Sequence, residues 1–171
     1  MFLEEELALA ERAKAGDKTA LENLWNLITP KLYGYLVHTL KDKEIAEDIL
    51  QETWLKAIRK LDQFQPRDVR LSAWLFAIAK NECRQYWRKH KDVVLDEMKI
   101  PDMPSAKDAP AEDTLFLEGI LNGLEEDERE ILRLRFIADL SFKEIARVLS
   151  ISVIAARVRV HRALGKARAG L

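Results

Sequence analysis

One cysteine, Cys83, stands among 171 residues, so no internal disulfide can form. Prolines number 5 and glycines 6, too few to supply the turns of a β-sandwich. No apolar run approaches the roughly 20 residues that cross a bilayer. The N-terminus, MFLEEELALAERAKAGD, is acidic where a secretory signal begins basic. A cytoplasmic protein without membrane insertion is therefore expected. His38, His90 and His161 lie far apart and off ligand spacing. Cys83 and His90 could be neighbours on a helix, but two ligands do not make a structural zinc site. No nucleophile–base pair, phosphate loop or metal cluster can be read, so neither an enzyme nor a cofactor is expected.

What the chain does have is apolar content of 48% and charge of 33%, which suits a helix-rich globular protein with a core. The net charge of −1 conceals blocks of opposite sign. Residues 1–62 carry 9 basic and 12 acidic side chains, 63–91 carry 7 and 2, 92–130 carry 3 and 13, and 131–171 carry 9 and 2. Two basic surfaces separated by an acidic stretch fit a protein that meets a polyanion twice. Solvated surface charge would look the same, so the blocks need motifs beside them.

Helical periodicity runs almost throughout. Residues 4–15 read as a short helix closed by Gly16. Asp17 caps a second helix with the stripe Ala20, Leu21, Leu24, Leu27 and Ile28. Pro30 is expected to break or kink it before the pattern resumes through Leu32, Tyr33, Leu36, Val37 and Leu40. Asp42 caps a third helix, 43–61, whose stripe is Ile45, Ile49, Leu50, Trp54, Ala57, Ile58 and Leu61. Residues 62–70 form a loop. A fourth helix, 71–91, turns Leu71, Trp74, Leu75, Ile78, Ala79 and Tyr86 inward and Asn81, Arg84, Gln85 and Arg88 outward. Residues 92–113, with Pro101, Pro104 and Pro110, read as an acidic linker. Its 22 residues span at most about 75 Å when extended. Helices are expected again over 114–123, 126–137, 141–149 and 153–168. The fold class is thus all-α. Two small domains are expected, an N-terminal bundle (1–91) and a C-terminal helix-turn-helix bundle (114–171).

The most informative stretch is SFKEIARVLSISVIAARVRVHRALGKAR, residues 141–168. Ser141 and Glu144 form the capping box S-x-x-E, and Ser150-Ile151-Ser152 makes a tight turn. Ser152 caps the following helix, which turns Val153, Ala156, Val160 and Ala163 inward, is rich in arginine and has almost no acid. Two helices joined in this way, the second one basic, form a helix-turn-helix whose second helix can enter the major groove. Arginine suits both tasks there, bidentate bonding to guanine and pairing with phosphate.

Three segments carry a family resemblance. AEDILQETWLKAIRKLDQF (46–64) resembles the second conserved region of the extracytoplasmic-function sigma factors of bacterial RNA polymerase. LSAWLFAIAKNECRQYWRK (71–89) resembles the stretch that follows it, and LEEDEREILRLRFIADLSFKEIARVLSIS (124–152) the start of the fourth region. The resemblance implies a non-catalytic subunit that binds core RNA polymerase at the β′ clamp helices and β flap. Such a subunit directs promoter recognition, DNA melting and initiation, and is restrained by an anti-sigma factor. It implies that Asp48, Gln51 and Glu52 dock on the polymerase. It further implies that Gln65, Arg67, Asp68, Arg70, Asn81, Arg84 and Arg88 read the minus-ten element, where a base is flipped into a pocket. For the minus-thirty-five element it implies Ser152, Ala155, Arg157, Arg159, His161, Arg162 and Lys166.

The recognition helix departs from the family's usual S-V-G-T-V-K-S-R-L-H-R-A. Ala155 replaces the threonine, Val158 a serine, and Ser150 the common turn glycine. Two other readings share parts of the pattern. A helix-turn-helix regulator that acts without polymerase would need a sensor domain, where residues 1–91 carry the docking pattern instead. A sigma-like interaction protein is suggested by Ile154 and Val158 beside the reading face.

Overall fold

The computed structural model describes residues 2–66, 69–91 and 119–170. Among these residues the structure is helical, with no strand. The elements are α1 (Phe2–Lys14), α2 (Lys18–Leu40), α3 (Lys43–Arg59), a 3₁₀ turn (Leu61–Gln63) and α4 (Leu71–Lys89). A helical turn follows at 119–122. Then come α5 (Glu126–Leu132), which runs into a π turn (Arg133–Ile137), α6 (Phe142–Leu149) and α7 (Val153–Ala169). The linker expected at 92–113, and residues 114–118 of the helix expected after it, lie outside the described residues.

Local chemistry sets the helix ends. Gly16 takes φ +93°, which closes α1, and Asp17 accepts from the Ala20 amide at 3.1 Å to start α2. Asp42 does the same for Ile45 at 3.0 Å. Glu6 of α1, itself buried, accepts from the Ser72 amide at the start of α4, which has no side-chain cap of its own. Burial holds the Glu6 carboxyl above its ordinary range, against the Ser72 hydrogen bonds that favour its charge.

Three sequence expectations need correction. Pro30 neither ends nor divides α2, which is continuous from Lys18 to Leu40. Pro30 faces solvent, as does Asn26, whose carbonyl loses its helical donor, so water can serve that group. Leu24, Ile28, Leu32, Tyr35 and Leu36 bury one unbroken stripe across the proline, and that packing holds the helix together. Second, Leu27 and Ile58, expected inside, are exposed, while Tyr35, Phe76 and Cys83 are fully buried. Third, α3 stops at Arg59, and Leu61 is buried from a 3₁₀ turn.

The N-terminal core forms where α2 meets α1, α3 and α4, with Tyr35 edge-on to Phe76 at 5.4 Å between ring centres. Trp54 packs on Trp25 at 4.9 Å, and its indole N–H donates to Thr29 at 3.1 Å. The C-terminal core is built on Ile131, Leu134, Leu140 and Ile145, against the alanine face of α7. The two halves pack on one another, α4 against α6 and α2 against the π turn.

Candidate nucleic-acid and polymerase interfaces

The helix-turn-helix assembles as its sequence directs. The Ser141 hydroxyl accepts from the Glu144 amide at 3.2 Å, and the Glu144 carboxylate accepts from the Ser141 amide at 2.8 Å. α6 ends at Ser150 in the left-handed region, φ 54°, the position that glycine takes more readily. The Ile151 amide then donates back to Ala146 at 3.0 Å, and Ser152 accepts from Ala155 at 3.0 Å to start α7. The inner face of α7 is Ala156, Val160, Ala163 and Ala167, whereas Val153, expected on that face, is exposed at the edge of the stripe on the first turn. Small side chains there let the helix sit close to its support and leave its long side chains outside.

Arg157, Arg159, His161, Arg162 and Lys166 are all exposed on α7, as is Ser152 at its cap, while Ala155 is half-buried. Two of the cations have protein partners. Arg157 lies over the Phe142 ring at 5.4 Å, and Arg135 lies over the same ring at 5.0 Å. Lys166 pairs with Glu128 of α5, which lowers the carboxyl's pKa and raises the amine's. The outermost apolar side chains of α7, Ile154 and Val158, lie outside the residues that the sequence assigns to DNA.

On α4, Asn81, Arg84 and Arg88 are exposed and Gln85 is half-buried, so the i, i+3, i+4, i+7 spacing does place them on one outer face. Trp87 stands on the exposed side, whereas Trp74 packs inward on Phe64 at 5.4 Å. The loop before α4 is pinned by buried Phe64 and Val69 and by Lys14, whose amine donates to the Phe64 carbonyl at 3.0 Å. Gln65 is exposed between these anchors; Arg67 and Asp68 lie outside the described residues.

Arg70 is placed differently from the others. Its guanidinium donates to both carboxylate oxygens of Glu144 at 2.8 Å and to the Asp139 carbonyl at 2.8 Å. Its amide also reaches Glu144, at 3.2 Å. In this arrangement Arg70, expected from the sequence to face the minus-ten element, is instead held by the capping glutamate of the second half. Burial opposes the charge on Glu144, but the Arg70 and Ser141 hydrogen bonds outweigh it and hold the carboxyl below its ordinary range. Two further bonds cross the same joint: Tyr35 donates to Glu130 at 2.6 Å, and Lys31 pairs with Asp139 at 3.2 Å.

On α3, Asp48 and Gln51 are exposed, and Glu52 is half-buried beside Lys56 at 3.8 Å. Lys56 makes its closer contact, 2.6 Å, with buried Glu82 of α4. Leu55 and Ile58 are exposed further along α3, and Trp25 on neighbouring α2. Sequence reasoning put Ile58 in the core and left Leu55 and Trp25 aside; a leucine off the buried stripe was the available signal. Cys83 is buried, and burial first, with Glu130 nearby, pushes its thiol up to about 12, so it is no nucleophile at neutral pH. Among the described residues no helix is long and apolar enough to cross a membrane.

This is a helical protein with a polar, partly apolar face on α3, a basic face on α4 and a basic helix-turn-helix. Family comparison agrees with that class. Residues 24–93 match Sigma-70 region 2, and residues 117–166 match Sigma-70 region 4. The chain is 32% identical to RNA polymerase sigma factor CarQ of Myxococcus xanthus over 92% of each chain. It is 30% identical to ECF RNA polymerase sigma factor SigM of Bacillus subtilis, over 77% of this chain and 83% of that one. Among solved structures it resembles CnrH in complex with the cytosolic domain of CnrY, with TM-score 0.74, 27% identity and 96% of each chain covered. It also resembles the sigma factor RpoE in complex with the anti-sigma factor NepR from Bartonella quintana, with TM-score 0.69, 25% identity and 88% and 95% covered. The chain belongs to the extracytoplasmic-function sigma factors. It is a non-catalytic specificity subunit that binds core RNA polymerase and promoter DNA and directs transcription initiation.

Proposed function

We propose that the three faces divide the work of initiation. Asp48, Gln51 and Glu52 dock on the β′ clamp helices, and the C-terminal half meets the β flap. Gln65, Arg67, Asp68, Asn81, Arg84 and Arg88 read and open the minus-ten element, joined by Arg70 once the halves part. Ser152, Ala155, Arg157, Arg159, His161, Arg162 and Lys166 form the minus-thirty-five surface, Lys166 after exchanging Glu128 for phosphate. The protein acts in the cytoplasm.

The observation that carries this reading is the helix-turn-helix itself. A capped helix with alanines behind it presents four exposed basic or imidazole side chains, Arg157, Arg159, His161 and Arg162, and no acid. The packed halves favour an anti-sigma partner as well. The similar structures of CnrH and RpoE were determined with CnrY and with NepR, and a partner that holds the halves together would keep Arg70 on Glu144.

Run-off transcription with core polymerase on a promoter library tests the whole reading. In the same assay Asp48→Ala with Gln51→Ala and Glu52→Ala should weaken polymerase binding without unfolding the protein. Asn81→Ala should reduce promoter opening more than polymerase binding. Normal polymerase binding by the triple variant would refute the docking assignment.

A further inference from the structure

The first turns of α7 carry an unusual surface for a DNA-reading helix. Ile154 is 78% exposed, and Val153 and Val158 are each 41% exposed. Single exposed apolar residues are ordinary on a protein surface. Three in the first six positions of a basic helix are not explained that way, and the helix geometry shows where two of them point. At 3.6 residues per turn, the buried line Ala156, Val160, Ala163 and Ala167 defines the back of α7. Directly opposite lie Ile154 and Val158, then His161 and Gly165. Arg157 flanks this ridge on one side, and Arg162 and Arg159 on the other. The part of the helix that reaches furthest outward is therefore apolar for its first turn and then imidazole. It ends bare at Gly165, around which a Cβ would meet nothing. The arginines stand to its sides, Arg162 and Arg159 toward a phosphate backbone and Arg157 near the helix start, where a base edge is within reach.

We propose that Ile154 and Val158 read thymine in the minus-thirty-five duplex by packing on the C5-methyl groups exposed in the major groove. This rests on the assignment of α7 to that element. The thymine methyl is the one apolar group that a base pair presents in the major groove, and it takes apolar side chains. Charge selects the occupant: α7 carries no carboxylate over its whole length, so the ridge is framed for a polyanion rather than for an acidic-and-apolar protein mixture. Four residues along the helix rise about 6 Å, close to two steps of about 3.4 Å along a DNA strand. Two thymines about two base steps apart are thus the expected partners. This part of the specificity comes from side chains that carry no hydrogen-bonding group, which accounts for a reading helix without polar side chains at 154, 155 and 158.

The test uses the full chain assembled with core polymerase and a promoter duplex selected by that holoenzyme from a random library. Replacing thymine by deoxyuridine, one position at a time, removes the methyl and leaves every hydrogen bond in place. The expected result is a loss of roughly four-fold per methyl at one or two positions of the minus-thirty-five element, the size of one buried carbon group. Ile154→Ala with Val158→Ala should make the holoenzyme insensitive to the same replacements. Dependence on the element without any cost from deoxyuridine overturns the proposal alone. Indifference to scrambling of the element overturns both the proposal and the assignment beneath it. A deoxyuridine cost that persists unchanged in the double variant overturns the proposal, because another group then reads the methyl.

Discussion

Helices α4 and α7 are both basic and both present a face to solvent, yet they are held in opposite ways. α4 buries eight of its 19 residues, among them Leu71, Leu75 and Phe76, and it includes buried Glu82 paired with Lys56. α7 buries four of 17, three of them alanine. The first is anchored by volume and the second by proximity. A helix anchored by volume must keep bulky apolar groups on much of its circumference, so its outer face is narrow: Asn81, Arg84, Arg88 and the edge of Trp87. A helix anchored through alanine spends little circumference on its support and leaves more than half for ligand. The difference fits the tasks assigned to them, a local platform beside a pinned loop against a helix that must enter a groove.

Side-chain deletion should therefore break the two halves unequally. Phe76→Ala removes a fully buried ring from the Tyr35 contact and should cost about 3–5 kcal/mol in denaturant unfolding. No deletion on the buried face of α7 can match that, because alanine has almost nothing to remove. If Val160→Ala, the largest truncation available there, proved equally damaging, anchoring by proximity would be the wrong description.

The joint between the halves comes next in size. Glu144→Gln keeps a capping side chain for α6 but loses the charge that Arg70 holds, and should weaken the closed arrangement by about 1.5–3 kcal/mol. Distance measurements between labels on the two halves should report a larger open fraction. Acid should do the same. The Glu144 carboxyl is depressed in the closed form, so its contribution is complete above the ordinary glutamate range and is lost as pH falls through its lowered value. Glu6, whose carboxyl is raised by burial, has the opposite sign and gains on protonation, so Glu6→Gln isolates the contribution of Glu144. A joint unchanged by acid in that background would remove the Arg70–Glu144 pair as its cause.

Within α7 the arginines should separate. Arg157, near the helix start and held over Phe142, should alter base preference when changed to alanine, by about 1–3 kcal/mol at the base it reads. Arg162, further along, should weaken all duplexes alike and reduce the salt slope by about one unit. Salt-titrated binding to a panel of duplexes decides this, and identical profiles would merge the two roles. The smallest effect concerns the turn. Ser150 sits at φ 54°, so Ser150→Gly should stabilise the C-terminal half by about 1 kcal/mol in thermal unfolding.

Much of this was legible without coordinates because it is local. Asp17, Asp42, Ser141 with Glu144, and Ser152 each satisfy an amide three residues ahead, a bond that needs only a short stretch of chain. The alanine face of α7 and the outward line of α4 likewise follow from the helical period alone. The three segments that resemble the sigma factors carried the family. The same local logic misplaced Pro30, because the missing donor is visible in sequence but the uninterrupted stripe that outweighs it is a property of the packed bundle. Leu27 and Ile58, expected inside, are exposed for a related reason: periodicity says which residues share a face, and only neighbouring helices say which face is covered.

The sequence by itself determined the helical periodicity, the caps at Asp17, Asp42, Ser141 and Ser152, the helix-turn-helix and the family. Tertiary structure alone decided that Arg70 meets Glu144 and that Tyr35 reaches Glu130. Those pairs are separated by 74 and 95 residues, and no short-range rule couples groups so far apart in the chain. They meet because the apolar faces of α2, α4, α6 and the π turn exclude water together, and that packing puts the polar groups at its edge within bonding distance.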